Sequence, residues 1–314
     1  MAETNDQLTI GIIGLGPVGG TLAVHLIEAG ANVIGCDIDP QKVDKIKKSG
    51  LHLTHTVEKS VTMENICYTI EELSNYDPDI IVISTKAPSL KPVVKSLKEI
   101  DNGSFFIMCA QNGIDNENIP ADAFGENRVL RMVINYAGSM SSRNKVNVSF
   151  FNPPNYIASL LPQGESLAQQ MCDLLNTAHL ETKVPEDIQD YVWEKAILNA
   201  ALSAICSITR RTMKDVMDFP QTLNLVEAII DESVVVAERE GIDLGKKFRR
   251  FCIRYLKNAG HHRPSMLMDL ENGHRTEIDW LNGKIADYGK KHYIPTPLNQ
   301  SVTALVHMLE YSLE

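Results

Sequence analysis

Three polar residues share one face of a strongly apolar segment, residues 193–203 (WEKAILNAALS). Lys195, Asn199 and Ser203 are spaced by four, and a helix places residues at that spacing on one stripe. A solvent-facing stripe is normally wider and more charged, and lysine is rarely buried without a partner. The pattern predicts a stripe that lines a polar cleft and faces a ligand rather than bulk water. The alternative is a narrow exposed stripe from which Lys195 reaches solvent.

A second polar cluster occupies residues 262–283 (HRPSMLMDLENGHRTEIDWLNG). Apolar residues alternate there with acids, and the segment contains Ser265, Glu277 and Asp279. Helix capping accounts for Ser265 as readily as ligand binding does. The periodicity alone does not distinguish Glu277 from Asp279.

Glycines near the N-terminus match the pattern GxGxxG. They follow a short apolar strand-like run and open a helix-like segment. In that context the glycines let the backbone approach a pyrophosphate, which the helix N-terminus then binds. The alternative is a plain tight turn. The loop predicts six cofactor-binding residues: Gly14, Leu15, Gly16, Pro17, Val18 and Gly19.

An acid at the end of the second predicted strand indicates which dinucleotide binds. Asp37 lies 18 residues after Gly19, close to the position of an acid that accepts hydrogen bonds from the adenosine ribose. Asp39 adds a second negative charge, and Lys42 is the only cation expected nearby. A 2′-phosphate would be repelled, so NAD is favoured over NADP. The alternative is that Asp37 caps the following helix.

Two further polar groups directly follow apolar strands. Lys86 comes after DIIVIST, and Gln111-Asn112-Gly113 comes after SFFIMCA. Ligands of open α/β sheets bind beyond the carboxyl ends of strands, so Lys86 and Asn112 are candidates for cofactor or substrate contacts. Taken singly, an Asn-Gly at a strand end is more often a turn.

The elements that must position these residues form two blocks. Continuous apolar strands alternate with helices in the first block, which is typical of a parallel sheet covered on both faces. Residues 144–162 contain two strand-like runs expected to extend that sheet in antiparallel fashion. From about residue 186 onward the pattern is helical. The predicted fold is α/β, with an N-terminal Rossmann-type dinucleotide-binding domain (residues 1–185) and a C-terminal all-α domain (residues 186–314).

Composition excludes several classes of function. The net charge of −10 argues against nucleic acids and anionic membranes as partners. No apolar run approaches a membrane span, and the N-terminus lacks a signal core. The six cysteines are scattered without a CxxC pair, which favours free thiols in a reducing cytoplasm. No residues have metal-ligand spacing, so we expect no metal.

Several of these segments, in this order, resemble the ketopantoate reductase family. The similar segments are GLGPVGG (14–20), STKA (84–87), QNG (111–113), WEKAILNA (193–200), PSMLMDL (264–270), RTEIDWLNG (275–283) and TPLNQ (296–300). The resemblance spans nearly the whole chain. It implies a Rossmann domain joined to a helical domain, an active site in the cleft between them, and a homodimer through the helical domain.

Residue roles also follow from the resemblance. It implies two catalytic residues: Lys195 as the acid, and Glu277, which holds the substrate by accepting a hydrogen bond from its hydroxyl. The same comparison makes Asn112 and Asn199 position cofactor and substrate, with Ser265 at the substrate and Lys86 near both. Ser203 stands where the family often has a second asparagine.

The implied activity is NAD(P)H-dependent reduction of 2-dehydropantoate to pantoate, a step of pantothenate and coenzyme A biosynthesis. Many members use NADPH with a basic residue after the second strand, which Asp37 and Asp39 contradict. Two alternatives stay open. One is an NAD-dependent D-2-hydroxyacid dehydrogenase of the same family, acting on branched or aromatic 2-oxo acids; the other is a non-catalytic NAD(P)-binding protein.

Overall fold

The computed structural model describes residues 7–311, which form two compact units. The first unit comprises the chain up to Gln111 together with Asn116–Ile188; the second comprises Asn112–Asp115 and the chain from Gln189 onward. Residues 112–115 thus belong to the second unit, although they lie within the range 1–185 that the sequence assigns to the nucleotide-binding domain. The predicted limits of the domains stay a prediction.

The first unit contains the strands of the described residues. They are β1 (Thr9–Ile13), β2 (Asn32–Cys36), β3 (Leu51–His55), β4 (Lys59–Val61), β5 (Ile66–Cys67), β6 (Ile80–Ile83), β7 (Phe106–Cys109), β8 (Val129–Val133), β9 (Tyr136–Ser142), β10 (Lys145–Phe151), β11 (Asn155–Ser159) and β12 (Thr182–Lys183). Its helices are α1 (Pro17–Glu28), α2 (Pro40–Ser49), α3 (Leu90–Glu99), α4 (Asn118–Phe124) and α5 (Glu165–Thr177).

The main sheet has eight strands in the order β12-β11-β8-β7-β6-β1-β2-β5. The pairs from β8 to β5 are parallel. Parallel sheets are covered on both faces, and β6 fits this rule. All four of its residues are buried, because apolar clusters cover both faces of the sheet. Ile80 and Val82 belong to one cluster, whereas Ile81 and Ile83 belong to the other.

The expected antiparallel extension is right for one segment and wrong for the other. Strand β11 pairs antiparallel with β8, as predicted. Strand β10 instead joins a separate four-stranded sheet of order β4-β3-β10-β9. Its burial alternates, with Val146 and Val148 inward, because only one face of this sheet meets the core.

The second unit is helical. Its helices are α6 (Ile188–Thr209), α7 (Met213–Asp218), α8 (Pro220–Arg239), α9 (Phe248–Lys257), α10 (Ser265–Glu271), α11 (Asn282–Lys291) and α12 (Pro297–Tyr311). Within residues 7–311, none of the helices is both long and apolar enough to cross a membrane. The predicted class, a Rossmann-type α/β domain followed by an all-α domain, is confirmed.

Candidate functional site

The glycine loop has the backbone that its sequence predicts. Gly14 has φ of +90°, which side chains rarely adopt, and its N–H donates to the Cys36 carbonyl over 2.8 Å. A Cβ at Gly19 would collide with the Gly14 carbonyl oxygen and the Ser84 hydroxyl. Gly16 precedes α1 as its N-cap, and a Cβ there would meet nothing within 4 Å. The loop therefore turns tightly at its two ends and leaves open space beside the first turn of α1.

Asp37 is hydrogen-bonded to the backbone of this loop. Its carboxylate is buried; Oδ2 accepts from the Leu15 N–H at 2.8 Å and from Lys42 Nζ at 2.7 Å. Asp39, rather than Asp37, caps α2, accepting from the Gln41 N–H at 3.0 Å. The helix-cap interpretation of Asp37 is therefore wrong. Asp37 Oδ1 also accepts from the Asp39 N–H at 3.0 Å. Asp37 therefore fixes the loop and keeps one acceptor site, on Oδ1, for a ligand, since each carboxylate oxygen has two such sites.

A second cation lies near these acids. Arg143, in the turn between β9 and β10, pairs with Asp39 at 3.2 Å. The expectation that Lys42 is the only nearby cation is therefore wrong. The sequence could not show this contact, because Arg143 is more than 100 positions away along the chain.

A cavity of about 470 Å³ adjoins the glycine loop. Gly14, Asp37, Ile38, Ile70 and Glu71 are among its lining residues. Ile38 is 92% exposed, although burying such a side chain is favourable, so it offers an apolar surface to a flat ligand. The charged side chains that line the cavity, Asp37 and Glu71, are both acidic.

The other strand-end groups divide between the two units. Gln111 is buried, and its Nε2 donates to the Ile83 carbonyl at 2.9 Å, which ties the ends of β6 and β7. Lys86 is exposed in the first unit, directly before a 3-10 turn (Ala87–Ser89). Asn112 is partly buried and belongs to the second unit.

On α6 the polar stripe runs from a partly exposed end to a buried one. Lys195 and Asn199 are partly buried, and Ser203 is 5% exposed. Burial lowers the pKa of Lys195 to about 8, and the neighbouring Glu194 carboxylate opposes that shift. The charge of Lys195 also acts on His262. Burial and this charge both lower the pKa of the His262 imidazole. The site thus holds an ammonium that gives up its proton more readily than an ordinary lysine.

Burial separates the two acids that sequence spacing could not distinguish. Glu277 is 5% exposed and directly precedes a 3-10 turn (Ile278–Trp280). Asp279 is exposed, and its Oδ1 pairs with His307 Nε2 at 2.8 Å. Ser265 is the exposed first residue of α10. A buried carboxylate such as Glu277 has a functional or structural partner as a rule, whereas an exposed one needs none.

An amide network behind α6 is absent from the sequence-based predictions. Asn282 Nδ2 donates to the Ala200 carbonyl at 3.1 Å and to Asn299 Oδ1 at 3.0 Å. Asn299 Nδ2 in turn donates to Glu232 at 2.8 Å. The two buried asparagines and the partly buried Glu232 join α6, α8, α11 and α12 and hold the helix that carries Lys195. The only sequence signal was an asparagine in each of the segments RTEIDWLNG and TPLNQ.

The cysteines and the metal-binding residue types form no centre. All six cysteines are buried and free. Burial raises the pKa of Cys36, Cys109, Cys206 and Cys252 to about 12. In the described part of the chain, no group of three His, Cys, Asp or Glu side chains could hold a metal ion.

Fold and loop together define a class: a Rossmann-type protein with a C-terminal helical domain. The family model described as "Ketopantoate reductase PanE/ApbA" matches residues 10–160, and "Ketopantoate reductase PanE/ApbA C terminal" matches residues 187–310. The chain belongs to the ketopantoate reductase family.

Curated relatives and solved structures agree with this family. A 2-dehydropantoate 2-reductase of Pyrococcus abyssi is 30% identical over 300 residues, which cover 95% of this chain and 97% of the relative. The Streptococcus pyogenes serotype M1 enzyme of the same name is 28% identical, with the same coverage. Ketopantoate reductase from Ralstonia eutropha has a TM-score of 0.88 at 22% identity, covering 98% and 99% of the two chains. D-mandelate dehydrogenase with NADH and anilino(oxo)acetate gives 0.86 at 24%, with the same coverage.

Proposed function

We propose that this protein is an oxidoreductase that reduces 2-dehydropantoate to pantoate with a nicotinamide dinucleotide, a step in pantothenate and coenzyme A biosynthesis. One observation carries the proposal: a lysine with a pKa of about 8 heads the polar stripe of α6, in the unit that also buries Glu277. The names of the curated relatives, which match along nearly the whole chain, support the same substrate.

The first unit fits the cofactor. The open space beside Gly16 and the first turn of α1 suits a pyrophosphate, since helix N-termini bind anions. The cavity beside Gly14 suits an adenine between Ile38 and Ile70, and Asp37 would accept ribose hydroxyls. Lys86 of this unit, and Asn112 of the second unit, are assigned to cofactor contacts from their places after β6 and β7. When bound, the reduced nicotinamide supplies the hydride.

We favour NAD over NADP. The acidic side chains of the adenosine cavity, Asp37 and Glu71, would oppose a 2′-phosphate. Lys42 and Arg143 lie close, but their charges already meet Asp37 and Asp39. D-mandelate dehydrogenase, which shares the fold, has NADH in its structure.

Lys195 acts as the general acid in this proposal. Its ammonium stabilises the negative charge that grows on the keto oxygen and then donates a proton to it. Asn112, Asn199, Ser203 and Ser265 orient the 2-oxo acid with amide and hydroxyl groups, which add no negative charge.

Glu277 provides selectivity in this scheme. Its carboxylate accepts a hydrogen bond from the 4-hydroxyl of 2-dehydropantoate. A 2-oxo acid that lacks this hydroxyl cannot form the hydrogen bond, so it is a poorer substrate.

A second candidate is an NAD-dependent D-2-hydroxyacid dehydrogenase acting on branched or aromatic 2-oxo acids. It is favoured by Ser203, which stands where the family often has asparagine, and by the likeness to D-mandelate dehydrogenase. Oxidation of NADH and NADPH should be followed with 2-dehydropantoate and with a panel of 2-oxo acids. We expect the highest kcat/KM for 2-dehydropantoate. A higher value for phenylglyoxylate or a branched 2-oxo acid favours the second candidate, and cofactor binding without turnover favours a non-catalytic protein.

We also propose that the protein is a cytoplasmic homodimer. A ketopantoate reductase from Staphylococcus aureus with the same fold is described as dimeric. The buried free thiols suit a reducing compartment.

A further inference from the structure

The four residues Asn112–Asp115 are fixed by contacts within the second unit. The Ile114 N–H donates to the Trp280 carbonyl over 2.9 Å. The Tyr288 hydroxyl lies 3.0 Å from each carboxylate oxygen of Asp115, and Lys284 Nζ lies 2.9 Å from Oδ2. We call Asp115, Tyr288 and Lys284 the Asp115 anchor. It ties the turn that carries Asn112 to α11.

The backbone of this turn depends on that anchor. Gly113 has φ of +106°, and a Cβ there would lie 2.6 Å from Trp280 Cβ. Asp115 has φ of +64°, a region that non-glycine residues enter at a cost. Such backbone persists only where surrounding contacts over-determine it. The ion pair and the tyrosine hydrogen bonds to Asp115 supply those contacts.

Tyr288 also reaches the helix of the proposed general acid. Its ring packs against Trp193 on α6, with centroids 5.2 Å apart and planes inclined by 59°. Trp193 precedes Lys195 by two residues, a rise of about 3 Å along a helix. Asn112 precedes Asp115 by three residues, a reach of at most about 11 Å. One side chain therefore links the turn of Asn112 to the part of α6 that carries Lys195.

We infer that Asp115 and Tyr288 are positioning residues that hold Asn112 in register with Lys195. The inference rests on the proposed function for its catalytic consequence. Neither residue needs to touch the substrate: the anchor sets where the Asn112 amide stands relative to the ammonium. Small misplacements of such groups lower the rate of the chemical step more than they weaken binding.

Tyr288→Phe and Asp115→Asn test this inference. Phenylalanine keeps the ring against Trp193 and loses the hydroxyl; asparagine tolerates the positive φ and loses the charge that pairs with Lys284. We expect each variant to lower kcat by roughly tenfold or more, with a much smaller change in KM. The double variant should be no slower than the slower single variant, because both substitutions disrupt the same Asp115 anchor. The matched control is Tyr293→Phe, since Tyr293 is 95% exposed.

Hydrogen exchange separates this inference from the proposed function. The Ile114 amide should exchange slowly in the wild type and in Tyr293→Phe, and at least tenfold faster in Tyr288→Phe and Asp115→Asn. Unchanged protection in both anchor variants overturns the anchor, whatever the enzyme reduces. Faster exchange with unchanged kcat overturns the positioning role. If the wild type reduces no 2-oxo acid, the proposed function fails while the exchange result still stands. A lower melting temperature with normal kcat would indicate a purely structural role.

Discussion

Lys195 combines two properties that a general acid needs. With a pKa of about 8 it is mostly protonated at neutral pH, yet it releases its proton far more easily than a lysine in water. Burial causes the shift, because removing an ammonium from water disfavours its charged form. The Glu194 carboxylate opposes the shift, because a nearby negative charge favours the charged ammonium.

The pH dependence of turnover follows from the sign of that shift. In the proposed mechanism the active form of Lys195 is the protonated one, so kcat/KM should fall as pH rises through about 8, well before an ordinary lysine would titrate. The imidazole of His262 does not produce this limb, because its pKa is lowered from 6.5. A pH profile of kcat/KM at saturating cofactor measures the effect. A rate that is flat up to pH 10 contradicts the assignment.

Removing the lysine should slow the chemistry and leave cofactor binding intact. We expect Lys195→Ala to reduce kcat by a factor of roughly 100 or more, and to lose the alkaline limb. Cofactor affinity, measured by titration, should change little. Lys257→Ala is the matched control, since that lysine is exposed on α9. Near-normal turnover in Lys195→Ala would remove the residue from the mechanism.

We expect Asp37 to set the cofactor preference by its charge. In Asp37→Ser, the ratio of kcat/KM for NADPH to that for NADH should rise by roughly tenfold or more, because a like charge near the 2′-phosphate is removed. Loss of the Leu15 hydrogen bond should weaken both cofactors alike, so the ratio isolates the charge. Parallel kinetics with the two cofactors give it. An unchanged ratio, or a wild type that prefers NADPH, would sink the assignment.

At the scale of elements, α12 depends on an acid from another helix. Glu232 on α8 accepts from the Leu298 and Asn299 N–H groups at 2.9 and 3.0 Å. These donors lie in the first turn of α12, where no intrahelical acceptor exists. Glu232 therefore caps α12 and, through Asn299, supports the amide network behind α6.

Glu232→Ala should destabilise the helical unit. Leaving those donors without a partner costs about 2 kcal/mol, which corresponds to a drop of roughly 4–8 °C in melting temperature. Scanning calorimetry measures it, and a lower kcat should follow as α6 loses support. Glu238→Ala, an exposed glutamate of the same helix, serves as the control. Equal melting temperatures for the two variants would show that the cap contributes nothing.

Sequence patterns predicted the elements whose burial is uniform. Strand β6, buried on both faces, and helix α6, apolar around most of its circumference, could be read directly. The four-stranded sheet could not be predicted, because alternating burial indicates that β10 is a strand but does not indicate which strand it pairs with. Its partner β3 is about 90 residues away along the chain.

The candidate site was predictable where it depends on local backbone conformation. The glycine loop follows from local sequence, since the turn and the helix start are local properties. The contacts of Asp115 with Tyr288 and of Asp39 with Arg143 could not be predicted, because each joins side chains more than 100 residues apart. Nor could spacing tell Glu277 from Asp279; burial did, and burial is a property of the folded chain.

At the scale of the whole molecule, α12 leaves apolar side chains uncovered. Leu305 is 52%, Met308 67% and Tyr311 72% exposed, and they follow one another along the helix. Single exposed apolar residues are ordinary, but a row of them marks a contact surface. In a chain of net charge −10, a charge-free row also gives two like copies a place to meet without strong repulsion.

We therefore expect α12 to contribute to the proposed homodimer, and Met308→Lys to weaken it. Burying a lysine without a partner in an apolar interface is unfavourable, and a central apolar contact contributes about 2 kcal/mol, so the dimer dissociation constant should rise roughly 30-fold. Sedimentation at several concentrations measures it. Val184→Lys places the same charge at an exposed apolar residue of the first unit and should leave association unchanged. A wild type that stays monomeric at high concentration contradicts the dimer; an unaffected Met308→Lys dimer places the interface elsewhere.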